Sequence, residues 1–179
     1  HRFDANFFDM LDKFHAAYPD VQLAFMVHFT HPDEFLAKDV SGNYIQSGRG
    51  TRRQWLPEVE NAIKGLLAPQ RAGFISLYNQ TPIIRDVNDN PDVLRTLQQE
   101  MSGHRIDNYY FFQCREIEGH THFAVPVEET LRILQASRNG LTDMENNATL
   151  AMSTGWGKME IVGTTGTPEN GTILFTLIR

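Results

Sequence analysis

The sequence predicts an α/β fold built on a parallel sheet, and three observations carry the prediction. Strand-like and helix-like patterns alternate over residues 1–136, the order expected of parallel strands joined by helical crossovers. The first candidate strand is a nearly continuous apolar run, as in strands buried on both faces. The chain has 179 residues, 41% apolar and 21% charged, which suits one domain with a packed core.

Asp4 is a plausible N-cap for a helix over residues 5–17, with Phe7, Met10, Leu11 and Phe14 at helical spacing as its buried stripe. Pro19 ends it, and residues 21–29 form the first strand, stopped at 30–33. Residues 38–53, rich in Gly, Ser and Arg, predict a long exposed loop. A helix follows over 56–67, with Pro57 tolerated in its first turn. Residues 73–78 are a second buried strand running into Asn79 and Gln80, and Asn90-Pro91 starts a helix to about 101. Residues 108–113 are a third strand, and Pro126 leads a helix to about 136. The remainder, 137–179, changes character. Short strands at 148–153, 159–163 and 172–177, separated by turns, predict a small antiparallel unit.

The net charge of −6 argues against a nucleic-acid partner. No apolar run long enough to span a membrane is present, and the single cysteine, Cys114, allows no internal disulfide, so a cytoplasmic setting is expected. The chain starts without Met, within a residue or two of a helical pattern, and reads as a piece of something longer. A parallel sheet ending at strand 21–29 exposes an apolar edge, so the isolated piece is expected to be poorly soluble or to pair with another chain.

Functional groups of parallel α/β folds gather at the C-terminal ends of the strands. The first strand end carries His28 and His31, the second Asn79 and Gln80, the third Gln113, Cys114 and Arg115. The four histidines His28, His31, His120 and His122 suit a metal by type, or are loop histidines with ordinary hydrogen bonds. No metal-specific spacing is present, and no metal site is assigned. Cys114 is a nucleophile or a small buried hydrophobe. Arg115 is a carboxylate clamp or a surface arginine. Lys158, in Gly155-Trp-Gly-Lys158, is a lysine able to hold a carbonyl cofactor or a solvated turn residue. The residue chemistry alone leaves these alternatives open.

Five segments in order, 28–34 (HFTHPDE), 79–89 (NQTPIIRDVND), 109–114 (YYFFQC), 119–126 (GHTHFAVP) and 155–158 (GWGK), resemble the lysine 2,3-aminomutase family of radical S-adenosylmethionine (SAM) enzymes. The closest likeness is to its uncharacterised members. The resemblance implies that 1–136 is the C-terminal half of a partial (β/α) barrel and that 137–179 is an extension bearing the cofactor lysine. It implies an isomerase that uses a [4Fe–4S] cluster, SAM and pyridoxal phosphate (PLP) to move an amino group between neighbouring carbons of an amino acid. His28 and Gln80 match positions lining SAM, Lys158 matches the lysine that holds PLP, and Cys114 matches a position near SAM. Arg115 and Ala151 stand where the lysine enzymes carry aspartates that grip the substrate's distal ammonium. Neither pairs with an ammonium, so the expected substrate is an amino acid with an acidic or hydrogen-bond-accepting side chain, bound in part by Arg115. The cluster's cysteine triad is absent. An N-terminal half of the same protein is the implied partner, the piece alone is expected to be inactive, and a homo-oligomer is compatible with the pattern. The alternatives are a radical SAM relative without PLP and a non-catalytic binding or assembly domain.

Overall fold

The structure is a computed structural model that describes residues 3–48, 52–114, 118–119, 121–166 and 170–178. Helix α1 (Ala5–Ala17) begins where the Asp4 carboxylate accepts the Phe7 amide at 3.0 Å, satisfying a helix-end donor. Its contact face is Phe7, Phe8 and Leu11, whereas Met10 is 52% exposed. The expected stripe is thus rotated, because α1 lies against one edge of the core. The buried Arg71 guanidinium fixes it there by bonding Asp12 and the carbonyls of Phe8 and Gly65.

Strand β1 (Leu23–Val27) pairs in parallel with β2 (Ile75–Ile83), and helix α2 (Pro57–Leu66) joins them. Helix α3 (Pro91–Gly103) leads to β3 (Asp107–Gln113), and α4 (Val127–Ser137) leads to β4 (Thr149–Thr154), each strand parallel to the one before. Strands β5 (Gly157–Thr165) and β6 (Thr172–Leu177) then add antiparallel. The six strands lie in chain order in one sheet. The antiparallel tail therefore begins only at β5, and β4 continues the parallel sheet across position 137.

The helices cover one face of this sheet. Ile75, Leu77 and Ile83 of β2 are buried, while Ser76 is exposed and Tyr78, Gln80 and Pro82 are half-buried. Leu94, Leu97 and Met101 of α3 and Leu134 of α4 fill the core between helices and sheet. The other face is open. The apolar run of the first strand is accordingly not buried on both sides: Leu23, Phe25 and Val27 turn half-buried to the core, and Ala24 and Met26 are exposed. An apolar run marks a strand but cannot show whether a second layer exists. β1 is also a sheet edge, paired on one side alone.

The stretch between β1 and α2 is exposed over most of 38–48 and at Arg52, as expected of a loop, but it is also folded into a strap. Antiparallel bridges Leu36–Trp55, Lys38–Tyr44 and Gln46–Arg53 zip it to itself. Phe35, Leu36 and Trp55 enter the core at 0%, 2% and 2% exposure. The buried Glu100 carboxylate of α3 accepts Trp55 Nε1 at 3.0 Å and Arg53 Nη1 at 3.1 Å, and the Trp55 indole stacks on His104 at 3.8 Å. The polar middle, Lys38 to Asn43, remains exposed.

Candidate active site on the open face of the sheet

The open face acquires its chemistry from strand register. Gln80 of β2 lies beside Tyr110 of β3, which lies beside Thr149 of β4. The neighbouring row is Pro82, Phe112, Ala151 and Glu160. Laterally paired residues share a face, so Gln80, Tyr110, Phe112, Ala151 and Glu160 all point away from the helices. Lys158, opposite Ser153, has the same parity as Glu160. Its Nζ sits 4.3 Å from the Tyr110 ring centroid and 5.0 Å from that of Phe112. Gln80 and Lys158 thus flank Tyr110 from opposite sides. Tyr109 and Tyr78 extend the aromatic surface, with centroids 4.0 Å from Tyr110 to Tyr109 and 5.5 Å from Tyr109 to Tyr78. A hydrogen bond with Tyr109, then burial, then the Tyr109 and Glu160 charges push the Tyr110 phenol up to about 12. It stays neutral through the physiological range.

His28 follows Val27, which pairs with Asn79. By alternation it shares the open face with Met26 and Gln80, and it is exposed. Neither His28 nor Gln80 is tied by a side-chain hydrogen bond among the described residues, so both side chains are available to a ligand.

Gln80 lies within β2 rather than past its end, because β2 runs five residues beyond Tyr78. The last β1 partner is Asn79, and a register shift between Asn79 and Gln80 re-aims the rest of the strand along β3 alone. β1 no longer runs beside β2 at Pro82, where a residue without N–H is tolerated. Asn79 is structural. It accepts the Phe29 amide at 2.9 Å and donates to the Phe29 carbonyl at 3.2 Å, prolonging the contact of β1 with β2. Asn88, fully buried, accepts the Ile84 amide at 2.7 Å and donates to the carbonyls of Thr30 and Pro82. Much of the segment 79–89 therefore stitches two strand ends together. Arg85 adds a two-pronged bond to Glu129 at 2.8 and 2.7 Å, fastening α4.

A cleft of about 570 Å³ opens at the C-terminal end of β3, lined by Gln113, Cys114, Val125, Pro126, Met152 and Ser153. Burial pushes the Cys114 thiol up, which disfavours the thiolate a nucleophile or ligand requires. Arg115 lies outside the described residues, as does His120. His31 caps a 3-10 turn (Pro32–Glu34), its Nδ1 accepting the Asp33 amide at 3.1 Å, with Glu34 completing a capping box. That lone pair is committed to the backbone. Among the described residues no three His, Cys, Asp or Glu side chains cluster as metal ligands do.

Sequence reasoning missed Tyr110, Phe112 and Glu160. Period-two alternation would have grouped Tyr110 with Phe112, but four consecutive aromatics at 109–112 hide it, and only the register brings Lys158 onto them.

An amine on an accessible, half-buried surface fits a carbonyl cofactor, and Lys158 provides one. One cysteine does not fit an iron–sulfur cluster, which takes several thiolates. No helix among the described residues is long and apolar enough to cross a membrane.

No protein-family model matches the chain. Several curated proteins are similar to it. A "Putative L-lysine 2,3-aminomutase" of Aquifex aeolicus (strain VF5) is 31% identical over 144 residues, 80% of this chain and 32% of the relative. The glutamate 2,3-aminomutase of Clostridioides difficile (strain 630) is 27% identical over 143 residues, 80% of this chain and 27% of the relative. The L-lysine 2,3-aminomutase of Fusobacterium nucleatum subsp. nucleatum (strain ATCC 25586) is 28% identical over 130 residues, 73% of this chain and 24% of the relative. The chain spans about a third or less of the length of these relatives.

Proposed function

The chain belongs to the lysine 2,3-aminomutase family, and from that premise we propose that it is part of an aminomutase-like isomerase acting on an amino acid. In this reading the α/β sheet is the C-terminal part of a partial barrel, with its open face turned to the reaction. The observation that carries it is the placement of Lys158 and Gln80 on either side of Tyr110 on that face, in a chain similar to aminomutases of both lysine and glutamate.

Lys158 is the residue that would hold PLP, and His28 and Gln80 would line SAM. When bound, SAM reduced by one electron from the cluster would supply a radical able to remove a substrate hydrogen, and PLP would carry the amino group between neighbouring carbons. The chain's own residues do the rest. Gln80 offers an amide donor and acceptor from a rigid strand. Tyr110 and Phe112 supply an apolar floor that limits water beneath the reacting groups. Tyr110, held neutral, has its hydroxyl engaged with Tyr109 and presents its ring rather than a free donor. The cluster's thiolates do not come from this chain, and a further part of the same protein is their proposed source.

The proposed substrate is an amino acid with an acidic side chain. Ala151 is wholly buried and uncharged on the open face, so it offers nothing to a distal ammonium, and Arg115, the next residue after Cys114 in the sequence, would supply a guanidinium to an acidic side chain. The test is to express the intact protein without oxygen, count iron and PLP per chain, and offer glutamate and lysine separately. About four irons with PLP support the reading. Rearrangement of lysine alone refutes the substrate, and absence of both cofactors refutes the enzyme.

A further inference from the structure

Lys158 belongs to β5 and the rings beneath its ammonium to β3, with β4 lying between them. The side chain must therefore pass over β4. The residue of β4 in the same row as Phe112, on the open face, is Ala151, the smallest side chain able to occupy a strand position. At the far end Nζ meets two ring faces at 4.3 and 5.0 Å, within the range at which a ring quadrupole attracts a cation. No carboxylate of the described chain forms an ion pair with Lys158, although Lys13, Lys38 and Lys64 each have one. Of the four lysines, Lys158 alone is held by a pair of rings.

We propose that Tyr110 and Phe112 are positioning residues that dock the Lys158 ammonium on the open face, and that Ala151 leaves the lane by which the lysine stem crosses β4. Docking fixes the amine over Tyr110, across that ring from Gln80, before any ligand arrives, in place of a flexible four-carbon stem sampling solvent. A larger residue at 151 closes the lane, and an acidic one draws the ammonium away from the rings. The meaning of the docking for catalysis rests on the reading of Lys158 as the cofactor lysine. The docking itself requires no cofactor.

The test uses the whole chain, its lysines labelled with 13C-methyl groups and read by NMR. Lys158→Arg identifies the Lys158 signal by its loss. Ring current from Tyr110 and Phe112 is expected to place that signal upfield of Lys13 and Lys64. Labelling of Lys158 is expected to be about two- to fivefold slower than theirs, the factor a cation–ring contact supplies. Tyr110→Phe retains the shift, whereas Tyr110→Leu, Phe112→Leu and Ala151→Leu, each checked for retained fold by circular dichroism, move the signal toward the solvent position. A wild-type signal coincident with those of Lys13 and Lys64 overturns the proposal, even if the leucine variants do not fold. So does a signal that Tyr110→Leu and Ala151→Leu leave unmoved in folded protein. Intact protein with a docked lysine but no PLP uptake refutes the cofactor assignment and leaves the docking standing. PLP uptake through an undocked lysine does the reverse.

Discussion

Removing the Glu100 carboxylate is expected to release the strap between β1 and α2. Glu100 is 3% exposed and accepts two donors, Trp55 Nε1 at 3.0 Å and Arg53 Nη1 at 3.1 Å. Each is a hydrogen bond to a charged group, worth about 1.5–3 kcal/mol. In Glu100→Ala the indole N–H of the 2%-exposed Trp55 keeps no acceptor, and the Arg53 guanidinium, 22% exposed, keeps no counter-charge. Breaking such a pair from one side costs about 3–5 kcal/mol. Part of the Arg53 share is screened by solvent, which sets the expectation near the lower end, about 3 kcal/mol. Against a typical domain stability of about 5–15 kcal/mol, that is a large fraction. Urea titration followed by circular dichroism reads it as a lower midpoint at unchanged slope. Glu100→Leu combined with Arg53→Met should recover part of the loss, because an apolar replacement of both partners leaves no orphaned charge. A loss below about 1 kcal/mol in Glu100→Ala, or a double variant no better than the single, would refute the account of the strap as anchored through Glu100.

Other consequences can be checked separately. Asn88→Ala removes three hydrogen bonds made by a fully buried side chain and should lower stability by about 2–4 kcal/mol, read as a fall in Tm. Trp156, 91% exposed, should tolerate Trp156→Ser within about 0.5 kcal/mol; a larger loss in urea would mean that the hairpin tip packs on something. Burial pushes the Asp33 carboxyl up, but hydrogen bonds from Lys38 and Tyr44 and the charges of His31 and Lys38 outweigh it, so Asp33 lies below its ordinary value. A depressed folded value means stabilisation that is present above the ordinary carboxylate pKa of about 4 and lost as pH falls through the lower, folded one. Protection of the amides at residues 38–46, taken relative to the intrinsic exchange rate at each pH, should therefore fall on acidification below about pH 4, and Asp33→Asn should remove that pH dependence. Protection in this segment that is flat across the range in the parent protein would contradict it.

The local elements were legible because their signals are local. Asp4 and Asn90 cap helices by reaching two or three residues ahead, α2 begins at Pro57, and α4 follows Pro126 in the chain. The polar composition of 38–53 marked its exposed part but not its anchor, because docking depends on a partner far away: Arg53 and Trp55 meet Glu100 at separations of 47 and 45 residues. The motif residues were legible as a set but not in their division of labour. Asn79 and Gln80 are neighbours in sequence, yet one clamps Phe29 toward the core and the other faces the open surface.

By itself, then, the amino-acid sequence determined the α/β alternation, the family, and Lys158 as the residue to watch, since each depends on residue type and short-range spacing. Tertiary structure alone decided that one sheet face lies bare, that β4 joins the parallel strands, and that Lys158 comes to rest on Tyr110 and Phe112. Those outcomes follow from strand register, in which a slip of one residue sends every side chain to the opposite face. Register is set by pairing between segments distant in the chain, and no local pattern encodes it.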